Sequence, residues 1–232
     1  NAYSRIRPGS KAKRGDLLTI ALMSSENYAA YLLARHHPDG YDAFIAAMNA
    51  KAKALGMRHT HFVDPSGLSE DNVSTAADLS KMLKAAFAYP EVREASTGAK
   101  HDVWFTHPGY SLYYANTNPL VRSSRWDVLL SKTGYLTNAG RCLVMVVDVA
   151  GEPTAMVMLD SFGKRTPLGD AGRIRRWLTS GDGGSVRVTS KKRRRRLPRK
   201  CWRVSRLMFQ IPRRRVVNHR LGATRCKLAL KG

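Results

Sequence analysis

Two apolar runs in the second half of this chain restrict its fold more than any other feature. Leu143 to Val149 and Thr154 to Leu159 are nearly free of polar residues, and Gly151-Glu152-Pro153 separates them. Such runs bounded by turn residues read as the two central strands of a hairpin. A strand that is apolar on both faces has to be covered on both. The hairpin must therefore lie between further layers.

Helical segments to supply those layers can be read on either side. Asp16 is placed to cap a helix from Leu17 to Met23, which Ser24-Ser25-Glu26-Asn27 interrupts before a second stretch, Tyr28 to Ala34. Pro38-Asp39-Gly40 is a turn. Beyond it Phe44, Ile45, Met48, Ala52 and Leu55 share one helical face, with Gly56 as the stop. Thr75 and Asp78 form a pair resembling a capping box ahead of Leu79, Met82, Leu83, Ala86 and Phe87, with Pro90 beyond the end. Val103 to Phe105 and Leu112 to Tyr114 read as aromatic strands around His107-Pro108-Gly109, and Val128 to Ser131 as a strand ending in Lys132-Thr133-Gly134. Gly169-Asp170 precede a last helix, about 171–179, with Ile174 and Leu178 inward and Arg173, Arg175 and Arg176 outward. Helices, then an antiparallel sheet, then a closing helix make an α+β fold.

Charge divides the chain into two parts. The net charge is +23, yet residues 181–232 hold 18 Lys and Arg against one acid, Asp182. Residues 1–180 are a mildly basic globular domain, and 181–232 a basic tail too poor in apolar surface to order itself, hence disordered and dispensable. Its charge suits nucleic acid or an anionic envelope surface. Its 13 arginines, abrupt onset and lack of period favour a third reading, an altered reading frame. Nucleic acid is accordingly disfavoured as a partner. The three cysteines, Cys142, Cys201 and Cys226, form neither a disulfide framework nor a zinc motif. His59, His61 and Asp64 lack a further ligand cluster, so no metal or other cofactor is expected. No run approaches the roughly 20 apolar residues of a membrane span.

Two short motifs carry chemistry, Ser25-Glu26-Asn27 between helices and Lys132-Thr133-Gly134 at a strand end. Their neighbourhoods add specificity: Ala21 to Asn27, Phe62 to Leu68, Ser74 to Leu79, Asn116 to Leu120, and Lys132 through Gly140-Arg141-Cys142. Together, over about residues 5–179, these blocks resemble the low-molecular-mass penicillin-binding proteins, serine D-alanyl-D-alanine carboxypeptidases and endopeptidases, and most of all the endopeptidase type.

The resemblance implies a β-lactamase/transpeptidase-like antiparallel sheet flanked by helices. It implies acyl-enzyme chemistry on peptidoglycan stem peptides, with β-lactams as inhibitors, in the periplasm. Ser25 would relay a proton to the leaving amine, and Asn27 would hold the substrate backbone. Lys132 and Thr133 would bind the substrate carboxylate, Gly134 would let the peptide lie close, the Tyr135 N–H would be an oxyanion donor, and Arg141 would add positive charge. The family's SxxK nucleophile motif has no counterpart in place. Ser10-Lys11-Ala12-Lys13 lies too near Ser25, and Ser161-Phe162-Gly163-Lys164 follows a strand. The expectation is a domain lacking its N-terminal SxxK segment and first strands, inactive alone and with an unpaired sheet edge. The alternative is a catalytically inactive protein binding envelope or nucleic acid through the tail.

Overall fold

The computed structural model describes residues 4–184, together with the backbone of 207–210 and 226–227. Three helices come first, α1 (Arg14–Met23), α2 (Asn27–Arg35) and α3 (Gly40–Ala54), followed by a short strand β1 (Val73–Ser74) and helices α4 (Ala76–Ala86) and α5 (Pro90–Thr97). A hairpin of β2 (Lys100–Phe105) and β3 (Tyr110–Ala115) leads through a 3-10 turn (Pro119–Arg122) to β4 (Val128–Leu136), β5 (Gly140–Val149) and β6 (Glu152–Ser161). Helix α6 (Thr166–Ser180) follows, then β7 (Leu207–Gln210) and β8 (Cys226–Lys227). The main sheet runs β4-β5-β6-β7, antiparallel throughout.

The apolar hairpin is covered on both faces. On β5, Leu143, Met145, Val147 and Val149 point toward Ala171 and Ile174 of α6. Val144 and Val146 point to the other side, against Leu79 and Leu83 of α4. Period two thus sends alternate residues into two cores, and that is why the run carries no polar face. A third core joins Ile20, Met23 and Ala29 to Val103, Phe105 and Tyr114 of the β2–β3 hairpin.

Several local expectations change. Asp16 does not cap α1; Lys13 occupies that position, and the Asp16 carboxylate instead meets His101 Nε2 at 2.8 Å. Thr75 does cap α4 by accepting from Asp78 N at 3.2 Å, but the Asp78 carboxylate turns away to His59 N, Thr60 Oγ1 and Lys81. Pro90 lies beyond the end of α4 as expected and also opens α5, since a residue without N–H fits a helix's first turn. Helix α6 starts at Thr166, so Gly169 and Asp170 lie inside it. Tyr110 and Tyr114 pack inward while Tyr113 is exposed.

The outer edge of β6 pairs with β7 over Thr154–Val157, and β8 pairs with β1. That part of the β6 edge is therefore not open. The expectation of a disordered, dispensable tail otherwise falls outside the described residues. No helix among the described residues is long and apolar enough to cross a membrane.

Candidate active site

Two residues past the end of α1 the chain adopts a backbone that side chains resist. Ser25 has φ 55°, the left-handed region that favours glycine, and Glu26 N returns to Ile20 O at 3.1 Å. Ser24 Oγ donates to Ala115 O at 2.6 Å, pinning the elbow to the end of β3. The Ser25 side chain is thereby carried, buried, toward β4. Asn27 opens α2 two residues on, half-buried and without a side-chain hydrogen bond among the described residues.

On β4, Lys132 Nζ donates to Ser25 Oγ and, at 3.0 Å, to Thr133 O. The two motifs, 107 residues apart in sequence, therefore meet directly. Lys132 has no carboxylate partner among the described residues. Burial of its ammonium lowers its pKa to about 7, because a charge withdrawn from water without a counter-charge is disfavoured.

Lys132-Thr133-Gly134 lies inside β4 rather than at its end, and the strand continues to Leu136. β4 is an edge strand. Ser131 N donates off that edge, to Ser96 Oγ at 3.3 Å. The register with β5 is regular from Leu130 to Leu136, so alternation sends the N–H groups of Thr133 and Tyr135 off the same edge. Tyr135 is exposed, and the Arg141 guanidinium lies 4.3 Å from its ring centre. A cavity of about 350 Å³ adjoins this edge, with Thr133, Gly134, Tyr135 and Arg141 in its wall.

Asparagine side chains tie the neighbouring chain to this strand. Asn118 Nδ2 donates to Ser131 Oγ at 2.9 Å, and Asn116 Nδ2 donates to Ser96 O and Gly98 O. Thr117, held between them, shares a 2.6 Å hydroxyl–hydroxyl hydrogen bond with Thr133. Gly140, at φ +64°, turns β4 into β5 where a Cβ would come within 2.9 Å of Asp160 Cα.

Among the contributors to the cavity wall that sequence reasoning missed are the polar residues Thr117, Lys164 and Arg165. Thr117 lay within a recognised block. Lys164 and Arg165 immediately precede α6, which packs against β5 and β6. Of the two SxxK-like sequences, Ser10 Oγ contacts Tyr110 OH at 2.8 Å, and Ser161 is buried at the end of β6. Neither has a hydrogen bond to Ser25 or Lys132. No group of three or more His, Cys, Asp or Glu among the described residues could hold a metal.

Comparison with known proteins agrees with this arrangement. The profile of the peptidase S11 family, D-alanyl-D-alanine carboxypeptidase, matches residues 1–163. The chain is similar to the D-alanyl-D-alanine endopeptidase of Escherichia coli, 51% identical over 179 residues, 77% of this chain and 58% of that protein. It is also similar to the Pseudomonas aeruginosa endopeptidase, 48% identical over 82% of this chain and 61% of that protein. The chain thus spans about three fifths of the length of these relatives. Among solved structures, a Streptomyces DD-transpeptidase superposes with a TM-score of 0.69 at 26% identity, covering 75% of this chain and 70% of that one. In sequence, in fold and in the motifs that meet at this cleft, the chain belongs to the peptidase S11, D-alanyl-D-alanine carboxypeptidase, family.

Proposed function

We infer that the cleft binds the D-alanyl-D-alanine portion of peptidoglycan stem peptides and belongs to a serine D-Ala-D-Ala endopeptidase or carboxypeptidase of the periplasm. One observation carries this reading. The Lys132 ammonium is held against Ser25 Oγ, on the edge strand β4, with no carboxylate partner among the described residues. A peptide carboxylate would supply the missing counter-charge, with the Thr133 hydroxyl as a second donor. The remaining backbone could add to β4 as an extra strand.

The roles then follow from position. Tyr135 N–H points where a carbonyl oxygen gaining charge could be met, one half of an oxyanion hole. Ser25 Oγ, accepting from Lys132, is placed to pass a proton to a departing amine. The Asn27 amide, without a hydrogen bond among the described residues, is placed to hold the substrate backbone, and Gly134 leaves room for the peptide. Arg141, stacked on Tyr135, adds positive potential in the cavity wall. In this reading the serine nucleophile and its lysine base come from sequence outside these 232 residues, and β-lactams react only when that pair is present.

Binding tests the reading without requiring turnover. A fluorescent N-acyl-D-alanyl-D-alanine should bind the chain, the L,L isomer should not, and Lys132→Ala should abolish the difference. Fluorescent penicillin should label the chain only after an SxxK segment is supplied upstream. Covalent labelling at Ser25 itself would show that the relay role is wrong.

A further inference from the structure

Three tyrosines form a row that the chemistry above does not use. Tyr28 and Tyr31 are neighbours on α2, their ring centres 5.9 Å apart and their planes 12° from parallel. Tyr41, near the start of α3, follows 5.7 Å from Tyr31. Tyr28 and Tyr31 are exposed and Tyr41 is half-buried. None of the three hydroxyls has a hydrogen bond among the described residues. Single exposed aromatics are ordinary, whereas a contiguous row of them marks a binding surface.

The row begins at the cleft. Asn27 opens α2, and Tyr28 follows it directly. At the far end, burial raises the Tyr41 pKa and the Asp64 and Asp42 carboxylates add to the effect, so the Asp64 loop is close by. Farther along that loop, Glu70 accepts from Asn138 Nδ2, in the turn after β4. The loop thus spans from the tyrosine row to the end of the strand that carries Lys132. Charge narrows the choice of occupant. Glu26 accepts from Tyr28 N at 3.3 Å, and Asp64 and Asp42 act on Tyr41. Arg35, one turn beyond Tyr31, is the basic residue on this face of α2. Nucleic acid also stacks on aromatic rings, but here its phosphates would meet mainly carboxylates. A neutral sugar escapes that penalty, offering C–H groups to the rings from one face and hydroxyls to the phenols from its rim.

Direction agrees with charge. On the reading above, the substrate carboxylate lies at Lys132 and Thr133, and Asn27 holds the backbone on the amino side of it. The stem therefore leaves the cleft past Asn27. In a pentapeptide stem three residues separate D-Ala-D-Ala from the sugar, about 10 Å of extended chain. Tyr31 lies only about 6 Å along α2 from Asn27.

We propose that Tyr28, Tyr31 and Tyr41 form a saccharide subsite, stacking against the uncharged amino-sugar backbone to which the stem peptide is attached. The inference rests on the proposed D-Ala-D-Ala site and deepens it by naming the substrate class as a glycan-borne peptide rather than a free one.

Equilibrium binding of two fluorescent probes to the chain tests it. The first is the bare stem pentapeptide ending in D-Ala-D-Ala. The second is the same peptide on its N-acetylglucosaminyl-N-acetylmuramyl disaccharide, whose lactyl carboxyl is spent in the amide to the peptide. Two ring contacts amount to roughly tenfold in affinity, so the second probe should bind about tenfold more tightly. Because the sugar is neutral, salt should leave that gap unchanged. The gap should close in the Tyr28→Ala, Tyr31→Ala double variant and largely persist in Tyr28→Phe, Tyr31→Phe, with the first probe unaffected by either. Equal binding of the two probes to the unsubstituted chain would overturn the proposal. So would a gap that survives the alanine pair, is lost in the phenylalanine pair or shrinks with salt. Sedimentation that shows self-association abolished by the alanine pair, with no gap between the probes, would make the row a contact between copies and likewise overturn it. Lys132→Ala separates the two readings, since it should weaken both probes equally and leave the gap intact. If the bare peptide binds with no dependence on Lys132, the D-Ala-D-Ala site is what fails. The saccharide surface would then stand or fall on tyrosine-dependent binding of chitotetraose, a sugar with no peptide.

Discussion

The loop around Asp64 and the cleft around Lys132 each withdraw one ionisable group from water, with opposite outcomes. Burial pushes the Asp64 pKa up, but hydrogen bonds from Ser66, Ser69 and Gly67 more than offset it and hold the carboxyl below its usual value; five donors reach the carboxylate in all. They are Ser66 N, Ser66 Oγ, Gly67 N, Ser69 N and Asn72 Nδ2, all at 2.6–2.8 Å. Lys132 receives no such compensation, and burial alone takes its pKa down to about 7. The loop completes its polar network internally and gains rigidity. The cleft leaves an ammonium, the Asn27 amide and outward N–H groups incomplete, which costs stability until a ligand arrives. A polar group fully served by its own protein is architecture; one left short is available for binding.

Exchange of the two ions tests this contrast most severely. Removing one partner of an enclosed charge pair costs about 2–5 kcal/mol, so Lys132→Met should weaken N-acyl-D-Ala-D-Ala binding by roughly 10²-fold or more. The same variant should melt higher than the parent in calorimetry, because it deletes an uncompensated ammonium. A lower melting temperature would break the comparison. Asp64→Ala should do the reverse: it strands several donors, at a cost of about 3 kcal/mol in denaturant titration, and leaves ligand binding nearly unchanged. Asp64 adds stability above the ordinary carboxylate range, and this is lost as pH falls through its lowered native pKa. The alanine variant should show a correspondingly flatter acid limb.

Gly140 lies between the two cases, as backbone supporting the cleft. Alanine there meets the Asp160 backbone and an unfavourable φ, so a loss of about 2 kcal/mol is expected in the same titration. The pH dependence of binding is next in size. Lys132 is mostly charged below pH 7, and a bound carboxylate raises its pKa. Affinity should then be level from about pH 5 to 7 and fall by up to roughly tenfold per unit above 7. Calorimetry in two buffers should detect proton uptake on binding. For folding the sign is opposite: the unfolded lysine holds its proton up to about pH 10.4, so the Lys132 penalty eases as pH rises from 7 toward that value. Both slopes should vanish in Lys132→Met. Thr117→Val should have the smallest effect, about 1 kcal/mol, through loss of the bond to Thr133.

What could be read from the sequence was what period and local turn chemistry control. The alternation hidden in Leu143 to Val149 required two covering layers, and α4 and α6 supply them. The Ser25-Glu26-Asn27 elbow and the β4 position of Lys132 were legible as motifs, and their contact followed from the family resemblance. The misses share one physical cause, competition from partners distant in sequence. Asp16 had every local reason to cap α1, but His101, 85 residues on, takes its carboxylate. Asp78 likewise serves His59 and Thr60 rather than its own helix end. Lys164 and Arg165 join the cleft through the docking of α6, which no local pattern announces. Pro90 was read correctly as lying past α4, while its second role, beginning α5, went unread.

The left-handed Ser25 has a consequence for selection. Glycine would occupy φ 55° and relieve a steric cost of roughly 1–2 kcal/mol, while removing the hydroxyl that accepts from Lys132. A library screened only for heat resistance should therefore enrich Ser25→Gly, and in doing so discard the hydroxyl that meets Lys132. A lineage freed from its enzymatic duty would drift the same way wherever that relief exceeds the cost of stranding the Lys132 ammonium. Retention of serine at this position across natural relatives would thus report continued use of the site, whereas glycine would mark a copy maintained for its fold alone.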